Sequence, residues 1–119
     1  MKAPLSPFYK SGNLVFISGQ VGSDSTTKII PEDFESQVKN LFKNLKDVLQ
    51  TAGLNESSVV KTTVFMTDLS LFGRMNELYV EFFGDHRPAR TTIGVAALPQ
   101  FPGDPNVFIE IEAIAEISS

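Results

Sequence analysis

The chain contains no cysteine and only one histidine, His86. The first absence excludes disulfides, thiol nucleophiles and thiolate metal sites. The second leaves no set of imidazoles from which to build a zinc centre. Positive charge is also scarce, with Lys+Arg 10 against Asp+Glu 14 and a net charge of −4. A protein that grips nucleic acid through its phosphates carries a basic face, and this balance argues against one. It leaves room for a local basic pocket. No apolar run approaches the ~18 residues of a membrane span. The opening Met1-Lys2-Ala3-Pro4-Leu5-Ser6-Pro7 has no apolar signal core. A soluble, cytoplasmic protein is the expectation. With 119 residues, 42% of them hydrophobic, the chain can bury one modest core, so a single domain is expected over 1–119.

The first segments are rich in β formers. Residues 4–10 are punctuated by proline and then aromatic at Phe8 and Tyr9, which suits an edge strand or arm. Gly12-Asn13 is a turn signal, and 14–20 (Leu-Val-Phe-Ile-Ser-Gly-Gln) reads as the second strand of a hairpin. Over 31–52 the period changes. Phe34, Val38, Leu41, Leu45, Val48 and Ala52 recur at steps of four and three, which predicts one amphipathic helix. Pro31 suits its first turn, Glu32, Asp33 and Glu35 the positive end of its dipole, and Gly53 its stop.

A strand follows over 59–66, then a second helix over 71–83 with Asp68 or Ser70 as cap. Its stripe includes Phe72, Met75, Tyr79, Phe82 and Phe83. Asn76 falls on the same line, between Phe72 and Tyr79. A polar amide on an inward stripe must find hydrogen-bond partners. It either ties down a neighbouring loop or lines a site.

The segment around which the chain is organised is 86–99. It opens on a proline turn and continues as a strand over 90–97. Thr91, Ile93, Val95 and Ala97 share one face, which reads as core. Arg90, Thr92, Gly94 and Ala96 share the other: a permanent cation, a hydroxyl and then almost no side chain. That pattern suggests a pocket with a charged mouth, since arginine can hold a planar carboxylate through two parallel hydrogen bonds. The plainer reading is an edge arginine paired to a surface acid.

The last strand, over 107–117, places Glu110 and Glu112 on one side. Consecutive strands usually pair, and if these two do, one of the acids lies near Arg90. Otherwise the Glu-x-Glu face is a solvated surface. The element order is ββαβαββ, an α+β pattern. Two helices can cover only one face of such a sheet. Phe16, Phe108 and Ile114 on the second face need cover, which implies a homo-oligomer whose sheets meet.

With these residues laid out, the sequence resembles the RidA/YjgF family of reactive-intermediate imine deaminases over nearly its whole length. The likeness is carried by Ile17-Ser18-Gly19-Gln20, by Asn44-Leu45-Lys46 with Ala52-Gly53-Leu54, and by the block from Val59-Val60-Lys61-Thr62 to Thr67-Asp68-Leu69. It continues through Asn76-Glu77-Leu78-Tyr79, Pro88-Ala89-Arg90-Thr91-Thr92, Val95-Ala96-Ala97-Leu98-Pro99 and Ile109-Glu110-Ile111-Glu112-Ala113.

The resemblance implies a chorismate-mutase-like fold, a homotrimer built around a sheet barrel, and ligand clefts between subunits. It implies hydrolysis of 2-imino or enamine acids, such as 2-aminoacrylate and 2-iminobutanoate, to 2-keto acids and ammonia, with no metal or cofactor. By position, Arg90 matches the arginine that holds the substrate carboxylate, and Glu110 the acid near the attacking water. Asn76 matches the pocket asparagine and Ser18 the serine of Ser-Gly-Gln. Thr92 stands where several members have cysteine, so any role needing a thiol is lost. Either Phe8 or Tyr9 takes the place of the N-terminal pocket aromatic. Glu112 and His86 are read as structural.

A rival reading is a trimer that senses keto acids without turnover. Both uses need Arg90, but only catalysis needs Glu110. A ribonuclease or translation inhibitor, reported for some members, fits the acidic balance least well.

Overall fold

The computed structural model describes residues 4–118. The elements are β1 (Phe8–Ser11), β2 (Leu14–Gln20), α1 (Phe34–Thr51), β3 (Val59–Met66), α2 (Phe72–Phe83), β4 (Ala89–Gly94) and β5 (Ile109–Glu116). Short 3-10 turns at Glu56–Ser58 and Leu69–Leu71 lead into β3 and α2. This is the expected ββαβαββ order. No described helix is long and apolar enough to cross a membrane.

Local chemistry explains the element ends. Gly12 closes the β1–β2 hairpin at φ +62, a conformation that costs glycine nothing. The α1 helix starts at Phe34 rather than Pro31. The Asp33 carboxylate accepts from the Ser36 N–H at 2.9 Å, so Asp33 serves as the cap and not as a first-turn charge. Gly53 ends the helix at φ +78, with the Leu54 N–H returning to the Leu49 carbonyl. Asp68 caps the 3-10 turn ahead of α2, accepting from the Ser70 N–H at 3.0 Å.

The sheet runs β1-β2-β5-β3-β4. All pairs are antiparallel except β3–β4, which is parallel. A parallel pair needs a crossover, and α2 supplies it. Both helices pack on one face. Val38, Leu41, Leu45 and Leu49 of α1 and Met75, Leu78 and Tyr79 of α2 join Val15, Ile17, Val64, Met66, Ile109 and Ile111 of the sheet in one core. Leu41, Leu45 and Leu49 are fully buried, and cutting any one to alanine would cost about 2–5 kcal/mol. One amide crosses the core edge. Gln37 donates to the carbonyls of Pro31 and Asn106 at 2.9 and 2.7 Å and accepts from the Phe108 N–H at 2.9 Å. It pins the incoming end of β5 to α1.

Three expectations for the arginine strand need correction. The strand ends at Gly94, not at residue 97. The Thr91/Ile93 side is not core: Ile93 is 40% exposed. The β3–β4 register pairs Thr62 with Arg90 and Val64 with Thr92. Thr62 and Val64 are buried beneath the helices, so Arg90 and Thr92 point to the helix side and Thr91 and Ile93 to the uncovered side. Finally, β4 and β5 are not neighbours, because β3 lies between them. The connecting segment 95–108 is long enough to carry the chain past β3.

The uncovered face carries Tyr9, Phe16, Lys61, Thr63, Phe65, Thr91, Ile93, Glu110, Glu112 and Ile114. Tyr9 is 70% and Phe16 42% exposed. Apolar groups of that size in solvent are what the sequence pattern anticipates for a face meeting another subunit.

Candidate active site

Arg90 sits at the edge of the sheet, on the helix side. Its guanidinium carbon lies 5.4 Å from the Phe72 ring centroid and 4.9 Å from that of Tyr79. It makes no ion pair among the described residues, so the edge-arginine reading finds no acid here. Two acids of the helices, Glu35 and Glu77, pair with Arg74. Tyr79 is buried, and its hydroxyl is 2.7 Å from the Thr62 hydroxyl. Burial pushes its phenol up, opposed by the Thr62 hydrogen bond and by the Arg90 and Arg87 cations.

Asn76 comes to the same place. A cleft of about 260 Å³ is lined by Asn76, Tyr79, Val80, Arg87, Pro88 and Arg90. Among the described residues, the buried Asn76 side-chain oxygen has no hydrogen-bond partner. An orphaned buried acceptor costs about 1–3 kcal/mol. Arg87 lines the cleft with its guanidinium tied back, donating to the carbonyls of Gly84 and His86. The His86 ring donates to the Val59 carbonyl at 2.6 Å, which anchors the turn before β4. Thr92 is half-buried on the same side as Arg90. The room expected beyond it is filled, since Leu69 packs so closely over Gly94 that a methyl there would collide with it.

Glu110 is elsewhere. It pairs in register with Phe65 and projects from the uncovered face, opposite to Arg90. Its carboxyl lies directly over Gly19, where any Cβ would strike it. Burial, and then the neighbouring Glu112 charge, push the Glu110 carboxyl up. Ser18 lies on this face too. Its hydroxyl donates to the Ser6 carbonyl at 2.6 Å, and its N–H to the Pro7 carbonyl at 3.1 Å, so it ties down the N-terminal arm. Of the two aromatics, Phe8 packs against the core and Tyr9 stands out from the uncovered face.

The structure thus gathers Arg90, Asn76 and Thr92 on one side of the sheet and Glu110, Ser18 and Tyr9 on the other. One chain does not bring the arginine and the acid together. The supports of each half escaped the sequence reading: Phe72, Tyr79 and Thr62 around Arg90, and Gly19 beneath Glu110. Phe72 and Tyr79 were signalled by the line Phe72–Asn76–Tyr79, which reads equally well as core, and Thr62 and Gly19 stood in motif blocks without a role of their own.

Comparison with known proteins identifies the family. The profile of the family described as Endoribonuclease L-PSP matches residues 1–117. A RutC family protein of Pyrococcus horikoshii is 41% identical over 94% of this chain and 86% of its own. The 2-iminobutanoate/2-iminopropanoate deaminase of Salmonella typhimurium is 39% identical over 95% of this chain and 89% of its own. Among solved structures, Escherichia coli TdcF with bound serine superposes with a TM-score of 0.89 at 37% identity, covering 99% of this chain and 91% of that one. Profile, identity and fold agree that the chain belongs to the RidA/YjgF family.

Proposed function

We propose that this protein hydrolyses reactive 2-imino and enamine acids, such as 2-iminobutanoate and 2-aminoacrylate, to 2-keto acids and ammonia. The observation that carries the reading is the pairing, in one cleft, of an arginine free of ion pairs with the orphaned oxygen of Asn76. A 2-imino acid offers the two complementary groups, a carboxylate for Arg90 and an N–H for Asn76. The relative named 2-iminobutanoate/2-iminopropanoate deaminase supports the same chemistry.

The reaction needs little from the protein beyond placement. The iminium carbon is already electrophilic. Arg90 fixes the substrate by its carboxylate. Glu110 takes a proton from water as the water oxygen bonds to carbon, then returns a proton to the nitrogen. As the C–N bond breaks and ammonia leaves, Glu110 takes the proton of the new hydroxyl, and the carbonyl of the keto acid remains. A carboxyl raised by burial is suited to exchanging protons in both directions. Because Glu110 lies on the opposite face, it reaches the substrate from a second subunit, together with Tyr9 and Ser18. The assembly is a homotrimer with clefts between subunits, formed by burying the uncovered sheet face.

The test is keto-acid formation from imines generated in situ by an amino-acid-consuming enzyme. Wild type should accelerate it. Arg90→Ala should lose about 10²-fold or more in kcat/KM, and Glu110→Gln about 10²- to 10⁴-fold in kcat. No acceleration over the spontaneous rate would leave the alternative, a trimer that senses small carboxylates. The serine bound to TdcF favours keeping that reading in view. Nuclease activity, suggested by the family's description, is opposed by the net charge of −4.

A further inference from the structure

The guanidinium of Arg90 is held by two aromatic faces and, among the described residues, by no acid. We propose that Phe72, Tyr79 and Thr62 form a clamp that keeps Arg90 oriented and unpaired for an incoming carboxylate. All three are positioning residues. The proposal rests on the reading of Arg90 as the carboxylate anchor.

The choice of rings over a carboxylate has a chemical consequence. A carboxylate would hold the arginine by taking its N–H donors, often in pairs. A ring attracts the cation through its face and leaves the in-plane donors free. Phe72 and Tyr79 are seven residues apart on α2 and flank the Arg90 side chain at 5.4 and 4.9 Å.

Tyr79 is the fixed jaw. Its ring lies 4.6 Å from Phe83 and 6.0 Å from Phe42, and its hydroxyl meets Thr62 in a buried bond. Thr62 is also the register partner of Arg90 across β3–β4. One strand pair therefore sets both the cation and the ring beside it. Phe72 is the outer jaw, 39% exposed at the start of α2. Its exposure makes it the member that can be changed without opening the core.

The test compares wild type, Phe72→Leu and Phe72→Tyr in the full-length assembly. The Arg90 side-chain N–H resonance, identified by its loss in Arg90→Lys, reports the clamp directly. In wild type it should be displaced upfield by the ring currents, and in Phe72→Leu it should move toward its random-coil position. Phe72→Leu should raise KM for 2-iminobutanoate, and Kd for 2-oxobutanoate, by about 5- to 10-fold, with kcat within about twofold. Phe72→Tyr should restore both.

An undisplaced Arg90 resonance in wild type overturns the clamp, whether or not the protein is a deaminase. So does a Phe72→Leu variant that leaves KM, Kd and the resonance unchanged. A wild type with no deaminase activity, but with a ring-shifted Arg90 and weakened 2-oxobutanoate binding in Phe72→Leu, supports the clamp. That outcome overturns only the deaminase reading.

Discussion

At the scale of single residues, chemistry here is set by what each side chain lacks. Among the described residues, Arg90 and Glu110 have no ion-pair partner and the Asn76 side-chain oxygen has no donor. For Glu110 the consequence can be measured. Burial and Glu112 raise its carboxyl above the ordinary 4.5, so the folded state holds the proton more tightly than the unfolded chain. The stability this contributes is fully present below the unfolded value and is lost as pH rises through the folded one. At neutral pH the ionised carboxylate therefore costs stability. Glu110→Gln should melt at a higher temperature than wild type at about pH 7, and the difference should close toward about pH 4. Thermal melts at both pH values check it. A variant that melts lower at neutral pH would mean that the carboxylate has a stabilising partner in the assembly.

At the scale of elements, the deciding features are one register and one amide. The parallel β3–β4 register puts Arg90 beside Thr62 and turns it toward α2. Gln37 does the corresponding work for β5, joining Pro31, Asn106 and Phe108. Replacing it by leucine keeps the bulk and strands those backbone groups in a buried place. Gln37→Leu should cost about 3 kcal/mol, read as a lower urea midpoint at an unchanged slope. Glu110 begins two residues after Phe108, so the same variant should also lose activity. Near-wild-type stability would show that water replaces the amide.

At the scale of the whole molecule, Arg90 and Glu110 lie on opposite faces of the sheet, so the proposed reaction requires an assembly in which one subunit supplies the arginine and another the acid. If Arg90→Ala and Glu110→Gln proteins are mixed, dissociated and reassembled, some clefts will receive an intact arginine from one chain and an intact acid from another. Activity should then return to a fraction of wild type, although each parent is inactive. A site complete within one chain would show no recovery. Phe16→Glu, placed on the uncovered face, should weaken assembly in sedimentation and activity together while circular dichroism stays unchanged.

Much of this protein was determined by its sequence alone. The stripe from Phe34 to Ala52 announced α1, Gly12-Asn13 the hairpin, and the motif blocks the family. Those signals are local: periodicity, caps and turns depend on residues a few positions apart. The sequence also named Arg90, Asn76 and Glu110, because their types and order are themselves the resemblance. Only the tertiary structure decided where these residues look. A period of two says that Arg90 and Thr92 share a face, but not which face the helices cover. That depends on β3 lying between β4 and β5, a pairing between segments distant in sequence. The same strand order left Gly94 beneath Leu69, set Arg90 between Phe72 and Tyr79, and put Glu110 on the far side of the sheet.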